Sequence, residues 1–309
     1  MRHITDSMID AVLRPEDAQL VLREAFEQFG RGQAAMQARE RTEAGGIKLS
    51  TLGAVIPGQG VAGAKVYTTL QGRFTFVILI FSTTDGRPLA SMDALAITRL
   101  RTAACSVIAA RHLARPDCQT LALFGAGTQG TAHAEQMAAA YGLREIRICD
   151  HHPTAEAAQR LALRCHTQVR LCDCADEALD GADLVVTASR ATEPLFDGDK
   201  LPPGCFVAAI GSSLPHTREL DDRALARASR IAVEWKPQSL HEAGDLILAA
   251  PGLVTDGKLV ELGALVSGQA PGRQHDDEIT IYKSVGVGLE DIALAGLAYR
   301  RLSAASADC

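Results

Sequence analysis

From residue 119 onward, short apolar runs alternate with stretches of helical periodicity. The runs are TLALFG (120–125), EIRICD (145–150), QVRLC (168–172), DLVVTA (183–188), CFVAAIG (205–211) and RIAVEW (230–235). TAHAEQMAAAYG and PTAEAAQRLALRC fill the first two gaps. Alternation of this kind requires βαβ crossovers and a parallel sheet. The runs are apolar at consecutive positions and show no polar face, as expected of a sheet covered on both sides. The fold class that follows is α/β, with a doubly wound parallel sheet of the Rossmann type.

The first run leads into Gly125-Ala126-Gly127-Thr128-Gln129-Gly130, a G-x-G-x-x-G between a strand and a helix. In that setting each glycine has a task. The first permits the tight turn, the second lets backbone approach a pyrophosphate, and the third lets helix and strand pack closely. The helix N-terminus adds unpaired N–H groups and the positive end of a dipole. Asp150 ends the second run, 25 residues beyond Gly125. A carboxylate there accepts hydrogen bonds from ribose hydroxyls and repels a 2′-phosphate, which favours NAD. NADP stays open because His151 and His152 follow. The competing readings are a turn that needs glycine for packing alone, or S-adenosylmethionine.

Before residue 115 the pattern differs. A helix is predicted over 16–29. GAKVYTTL (63–70) and FTFVILIF (74–81) flank the turn Gln71-Gly72-Arg73, and Thr84-Asp85-Gly86 marks another. Such turns between extended runs signal hairpins, so an antiparallel or mixed sheet with flanking helices is expected. A long helix is predicted over 93–113, ended by Pro116. The tail ends in a helix with Leu289, Ile292, Ala293, Gly296 and Leu297 on one side, expected to pack back on the first domain. The predicted domains are therefore 1–114 with 290–309, a discontinuous α+β unit, and 115–289, the dinucleotide-binding unit.

With 47% hydrophobic and 22% charged residues, the 309-residue chain can bury two cores. A formal net charge of −6 with scattered arginines argues against nucleic acid or an anionic membrane as a partner. The start MRHITDSMIDAVL lacks a secretory pattern, and no run is long enough to span a bilayer. The eight cysteines read as buried free thiols of a cytoplasmic protein. Cys172 and Cys174 form a C-x-C with no second ligand pair nearby, so no metal site is expected.

Arg101 lies on the long helix among Ile97, Ala104, Cys105 and Ile108. A guanidinium in such a stripe needs an anionic partner, either an internal acid or a substrate carboxylate. Lys65 shares a strand face with Tyr67 and Thr69, where a solvated edge lysine is the plain alternative. Arg41 looks like an ordinary surface charge. Thr187-Ala188-Ser189 and Gly211-Ser212-Ser213 end strands, where ligands gather in doubly wound sheets, so Ser213 is a candidate to sit near a reacting ring. Loop chemistry without a ligand explains both segments equally.

Taken together, LRTAACSVIAARHLARPD, LALFGAGTQGTAHAEQM, ADLVVTASRATEPLF, AAIGSSLPHTRELDD and DEITIYKSVGVGLEDIALA resemble the ornithine cyclodeaminase and mu-crystallin family, with its archaeal-type alanine dehydrogenases and cyclic imine reductases. The resemblance implies a substrate and dimerisation domain, a central Rossmann domain and homodimers built through the N-terminal sheets. It implies that Arg41, Lys65 and Arg101 grip a substrate carboxylate, with Arg39 a rival to Arg41 in a short register. It places Thr187 and Ala188 along the dinucleotide and Ser284 and Val285 at its nicotinamide end. Ornithine cyclodeaminases carry a motif like G-G-D-C-P-G, and Ser213 stands here at the acidic position. Serine neither takes up a proton near neutral pH nor balances an ammonium. The expected function is therefore NAD(P)H-dependent reduction of a cyclic 2-imino acid, with Lys65 and Ser213 as catalytic candidates. The alternatives are ornithine cyclodeamination with recycled NAD, an alanine dehydrogenase-like reaction, and binding of dinucleotide and ligand without turnover.

Overall fold

Residues 1–152 and 154–307 are described by the structure, a computed structural model. The chain divides into two units, residues 1–105 together with the C-terminal segment from Gly286, and residues 106–285.

The first unit starts with β1 (Arg2–Ile4), α1 (Asp6–Val12) and α2 (Pro15–Gly30). Five strands follow: β2 (Ala35–Ala44), β3 (Ile47–Ile56), β4 (Val61–Leu70), β5 (Arg73–Ser82) and β6 (Pro88–Met92). They form one mixed sheet in the order β1-β6-β5-β4-β3-β2, parallel only between β1 and β6. The β4–β5 turn is tight because Leu70 pairs with Arg73 across Gln71 and Gly72. Both turn residues have positive φ (51° and 74°), the twist that joins antiparallel strands best. The strands β2 and β3, joined at Gly45-Gly46, were not anticipated. The alternation IKLSTL after a Gly-Gly pair was the available signal.

Residues directly opposite one another share a sheet face. One face therefore carries Leu52, Lys65 and Ile78, paired in register. The C-terminal helix (Gly288–Ala307) packs on β3, β4 and β5, and α2 packs on that helix. Leu22, Phe26, Leu52, Ile56, Ile78, Ile80, Leu289 and Ile292 are buried in this core. On the opposite face Ile47, Leu49, Val55, Leu70, Val77 and Phe81 stay exposed. The unit boundary at Cys105 falls within α3 (Leu95–Leu113), which begins two residues later than predicted.

The second unit continues with β7 (Thr120–Phe124), α4 (Thr128–Tyr141), β8 (Glu145–Cys149), α5 (Ala155–Cys165), β9 (Gln168–Leu171), α6 (Ala175–Leu179), β10 (Leu184–Thr187) and β11 (Phe206–Ala209). Then come α7 (Asp222–Arg227), β12 (Ala228–Val233), α8 (Lys236–Glu242), α9 (Gly244–Ile247), β13 (Leu259–Glu261), α10 (Leu262–Val266) and β14 (Ile279–Lys283). All eight strands are parallel, in the order β13-β12-β14-β11-β10-β7-β8-β9. The order reverses between β7 and β10, which makes the sheet doubly wound and sets its topological switch point there. Ala122, Phe124, Val185, Val207, Ile231 and Ile281 fill the core. The six strands read from the sequence are present, and β13 and β14 add two that were not read.

The cysteines need one correction. Cys105, Cys118, Cys172 and Cys205 are buried free thiols, but Cys149 and Cys165 are half-buried and Cys174 is exposed. Cys174 lies just beyond β9, at the N-cap of α6, where the chain turns at the surface. Cys309 lies outside the described residues. No helix among the described residues is long and apolar enough to cross a membrane.

Candidate active site

In the second unit the predicted dinucleotide residues collect at the carboxyl ends of neighbouring strands. Gly125 to Gly130 follow β7, Asp150 follows β8, Thr187 closes β10 and Ala188 follows it, Ser213 lies beyond β11, and Ser284 and Val285 follow β14. Gly125 has φ of 92°, and a Cβ on it would lie 2.8 Å from the Ala188 carbonyl oxygen. A Cβ on Gly130 would lie 1.8 Å from the oxygen of Gly125. Neither position admits a side chain. Gly127 differs, because a Cβ there would meet nothing within 4 Å. It is the N-cap of α4 and supplies no side-chain cap. Open space over the start of a helix, where N–H groups point outward, is the geometry that a pyrophosphate needs.

Asp150 accepts hydrogen bonds from the Ala126 N–H (2.6 Å) and the His152 N–H (3.2 Å). Burial pushes its carboxyl up, but the backbone hydrogen bonds from Ala126, His152 and His151 outweigh burial and hold it below the usual value. A carboxylate has about four acceptor positions, so capacity remains for ribose hydroxyls. The donor set and the glycine geometry fit a dinucleotide.

Two of these side chains turn to buried acids. The Thr187 hydroxyl donates to Glu219 (2.8 Å), and the Ser284 hydroxyl donates to Glu234 (2.5 Å). Both residues are buried, as are both acids. Each hydroxyl thus spends its one donor on an acid and can meet a ligand only as an acceptor. Ser213 is half-buried in the loop after β11.

In the first unit the cations assemble on the inner sheet face. Lys65, mid-strand on β4, donates to the Thr98 hydroxyl (2.7 Å) and to Asp291 (3.2 Å), and sits 4.7 Å from the centre of the Phe76 ring. Arg101 on α3 donates to Glu290 (2.5 Å) and lies 3.5 Å from Asp291. Gly286 leaves it room, since a Cβ there would meet the guanidinium at 2.7 Å. Burial pulls the Lys65 ammonium from 10.5 down to about 8. Asp291 opposes that shift, and the charges of Arg101 and Arg39 reinforce it.

The third cation near this group is Arg39, which donates to the Gly286 carbonyl at 2.8 Å. Arg41 is half-buried on β2 opposite Ser50. The pairing of β2 with β3 shifts between Gln37 and Glu40. Arg39 lies at that bulge, and Arg41, opposite Ser50 and so in line with Tyr67, lies on the sheet face that carries Lys65. The sequence also missed Glu290 and Asp291, which lie 189 and 226 residues from their partners Arg101 and Lys65. Lys65 and Arg101 thus share the buried carboxylates Glu290 and Asp291.

A doubly wound parallel sheet with this glycine turn at its switch point defines a dinucleotide-binding fold. The profile of the ornithine cyclodeaminase/mu-crystallin family matches residues 7–306, and the chain belongs to that family. It is 36% identical over 222 residues to the ketimine reductase mu-crystallin of Mus musculus, covering 72% of this chain and 68% of that protein. The crystal structure of a probable ornithine cyclodeaminase from Bordetella pertussis Tohama I is 59% identical, with a TM-score of 0.96 over 99% of this chain and 98% of that one. The Δ1-pyrroline-2-carboxylate reductase of Thermococcus litoralis, in complex with NADH and L-proline, is 25% identical, with a TM-score of 0.93 over 99% of this chain and 98% of that one.

Proposed function

We propose that the protein reduces the C=N bond of a cyclic 2-imino acid with NADH, Δ1-pyrroline-2-carboxylate or a six-membered ketimine being the substrate class. It is a nicotinamide-dependent oxidoreductase acting on C–N bonds. The observation that carries this reading is the pair of buried cations, Lys65 and Arg101, held side by side through Asp291 and Glu290. A carboxylate beside a C=N bond is the kind of group that such a pair recognises.

Bound NADH supplies the hydride. Arg101 offers the substrate carboxylate a flat pair of donors, and Lys65 offers a point charge. Arg39 contributes to the same field, with Arg41 on the same strand as a weaker candidate. Ser213 offers a hydrogen bond at the loop after β11. Gly125, Gly127 and Gly130, with the first-turn residues Thr128 and Gln129, seat the pyrophosphate. Asp150 takes the adenosine ribose, which favours NAD over NADP. Ala188 and Val285 line the dinucleotide through backbone. Lys65 is the proton-holding group, because a pKa of about 8 lets it give up a proton near neutral pH. Hydride adds to the imine carbon, a proton adds to nitrogen, and the cyclic amino acid results. Holding both reactants in register supplies much of the acceleration.

Ornithine cyclodeamination is the rival reaction, and Ser213 counts against it because no carboxylate stands there. The test is the loss of NADH absorbance at 340 nm with Δ1-pyrroline-2-carboxylate and its six-membered analogue. Turnover of either supports the proposal. Ammonia release from ornithine without net NADH change would replace it with the lyase. Tight NADH binding without turnover of any imino acid would make the protein a binder.

The assembly we propose is a homodimer. Ile47, Leu49, Val55, Leu70, Val77 and Phe81 leave one face of the first-unit sheet apolar and exposed, a surface that a second copy would cover.

A further inference from the structure

Glu219 is a fully buried carboxylate to which the reaction above gives no task. One of its oxygens accepts from the Thr187 hydroxyl (2.8 Å), the Gly211 N–H (2.7 Å) and the Ser212 N–H (3.2 Å). The other accepts from the Ser189 N–H (2.8 Å) and the Ser189 hydroxyl (2.7 Å). All five partners are donors. They come from the loops that leave two adjacent strands, β10 and β11.

A second layer holds Glu219 in turn. Asp245 accepts from the backbone N–H groups of Glu219 (2.7 Å) and Leu220 (2.8 Å). Its other oxygen lies 2.8 Å from the Lys283 ammonium, which donates to the Ser212 carbonyl at 2.6 Å. Lys283 is the last residue of β14, and Asp245 and Lys283 are also fully buried. The carboxyl ends of three neighbouring strands are thus tied through one acid, one base and a second acid.

Burying such charges is costly unless every one is paired and hydrogen-bonded. Loops can be closed by backbone bonds alone, so charges at this depth mark a geometry that must not drift. Ligands of a doubly wound sheet lie across the carboxyl ends of its strands at the switch point. Asp150 follows β8, on one side of β7. The Glu219 loops follow β10 and β11, on the other. A dinucleotide with its adenosine at Asp150 therefore extends its other half over the loops that Glu219 holds.

We infer that Glu219 is a positioning residue. It clamps the loops after β10 and β11 so that they present a fixed edge to the nicotinamide half of the dinucleotide, and it touches neither cofactor nor substrate. This rests on the dinucleotide site proposed above.

Glu219→Gln in the full chain is the test, because it keeps the shape and replaces one acceptor oxygen by an NH2 that cannot accept. Whichever way the amide turns, at least two donors lose their acceptor. The readouts are NADH affinity, affinity for ADP-ribose (which lacks the nicotinamide), and kcat. We expect NADH to bind about tenfold more weakly, as for loss of one or two charge-assisted hydrogen bonds. ADP-ribose affinity should stay within about twofold, and kcat should fall about tenfold or more. Equal weakening of both ligands, or of neither, overturns the inference. Should Glu219→Gln fail to fold, Ser189→Ala and Thr187→Val each remove one hydroxyl donor and carry the same comparison. A parent protein that binds NADH but reduces no imino acid would remove the proposed substrate and leave this test intact. A parent that binds neither NADH nor ADP-ribose would overturn both.

Discussion

The two sheets place chemistry differently. In the parallel sheet of the second unit, the candidate ligand groups lie at or beyond the strand ends, and much of the recognition is backbone geometry at Gly125, Gly127 and Gly130. In the mixed sheet of the first unit, Lys65 sits in the middle of β4 and its partners arrive from α3 and the C-terminal helix. A parallel sheet is apolar on both faces, so polar work is confined to its ends. A sheet covered on one face can bury a charge mid-strand, provided that a packed helix brings the counter-charge. The first kind of site is local in sequence, and the second is assembled from distant segments.

Breaking each site separately tests that contrast. The largest effect is expected from Arg101→Ala, which removes the paired donors and leaves Glu290 buried without its guanidinium. Losing that two-pronged contact with the substrate carboxylate should lower kcat/KM for the imino acid by about 10² to 10³, while NADH affinity in a fluorescence titration stays within about twofold. A parallel loss of NADH affinity would mean that the two sites are not separable. Gly130→Ala should do the reverse, since its Cβ would sit 1.8 Å from the Gly125 oxygen. NADH affinity should drop by about 10² as the turn is forced open. Unchanged affinity would show that the turn yields more easily than its contacts imply.

The next effect is a pH dependence. Burial lowers Lys65 to about 8 in the folded protein. The cation that holds the substrate is therefore lost as pH rises through 8, and KM should rise about tenfold between pH 7 and pH 9. A flat KM over that range would remove Lys65 from carboxylate binding. Stability moves the other way. The folded form gives up this proton more readily than the unfolded chain, so the cost of burying the ammonium is present below pH 8. It disappears as pH rises from 8 towards 10.5. The smallest effect separates two arginines of one strand. Arg39→Ala should raise KM several-fold, and Arg41→Ala should leave it within about twofold. The opposite ranking would restore the register counted from the sequence.

How much was legible follows from the same contrast. The six strand runs, the glycine turn and Asp150 could be read directly, because each depends on neighbours within a few residues. The pair β2 and β3 is hard to read, since their exposed, mixed-polarity residues give a weak strand pattern. Arg39 and Arg41 cannot be ranked from the sequence, because no residue count reveals the bulge beside them. Glu290, Asp291, Glu219 and Asp245 were invisible as site residues. An acid in a helix or loop looks like any surface charge until folding shows what it faces.

The hydrogen bond from the Ala126 N–H to Asp150 has an evolutionary consequence. The residue proposed to discriminate against a phosphorylated ribose also anchors the glycine turn that seats the pyrophosphate. A lineage drifting towards NADP cannot simply discard the acid, because the turn would slacken in the same step. It must first acquire another acceptor for that amide, so cofactor choice in this scaffold is guarded by an epistatic barrier rather than by one replaceable side chain.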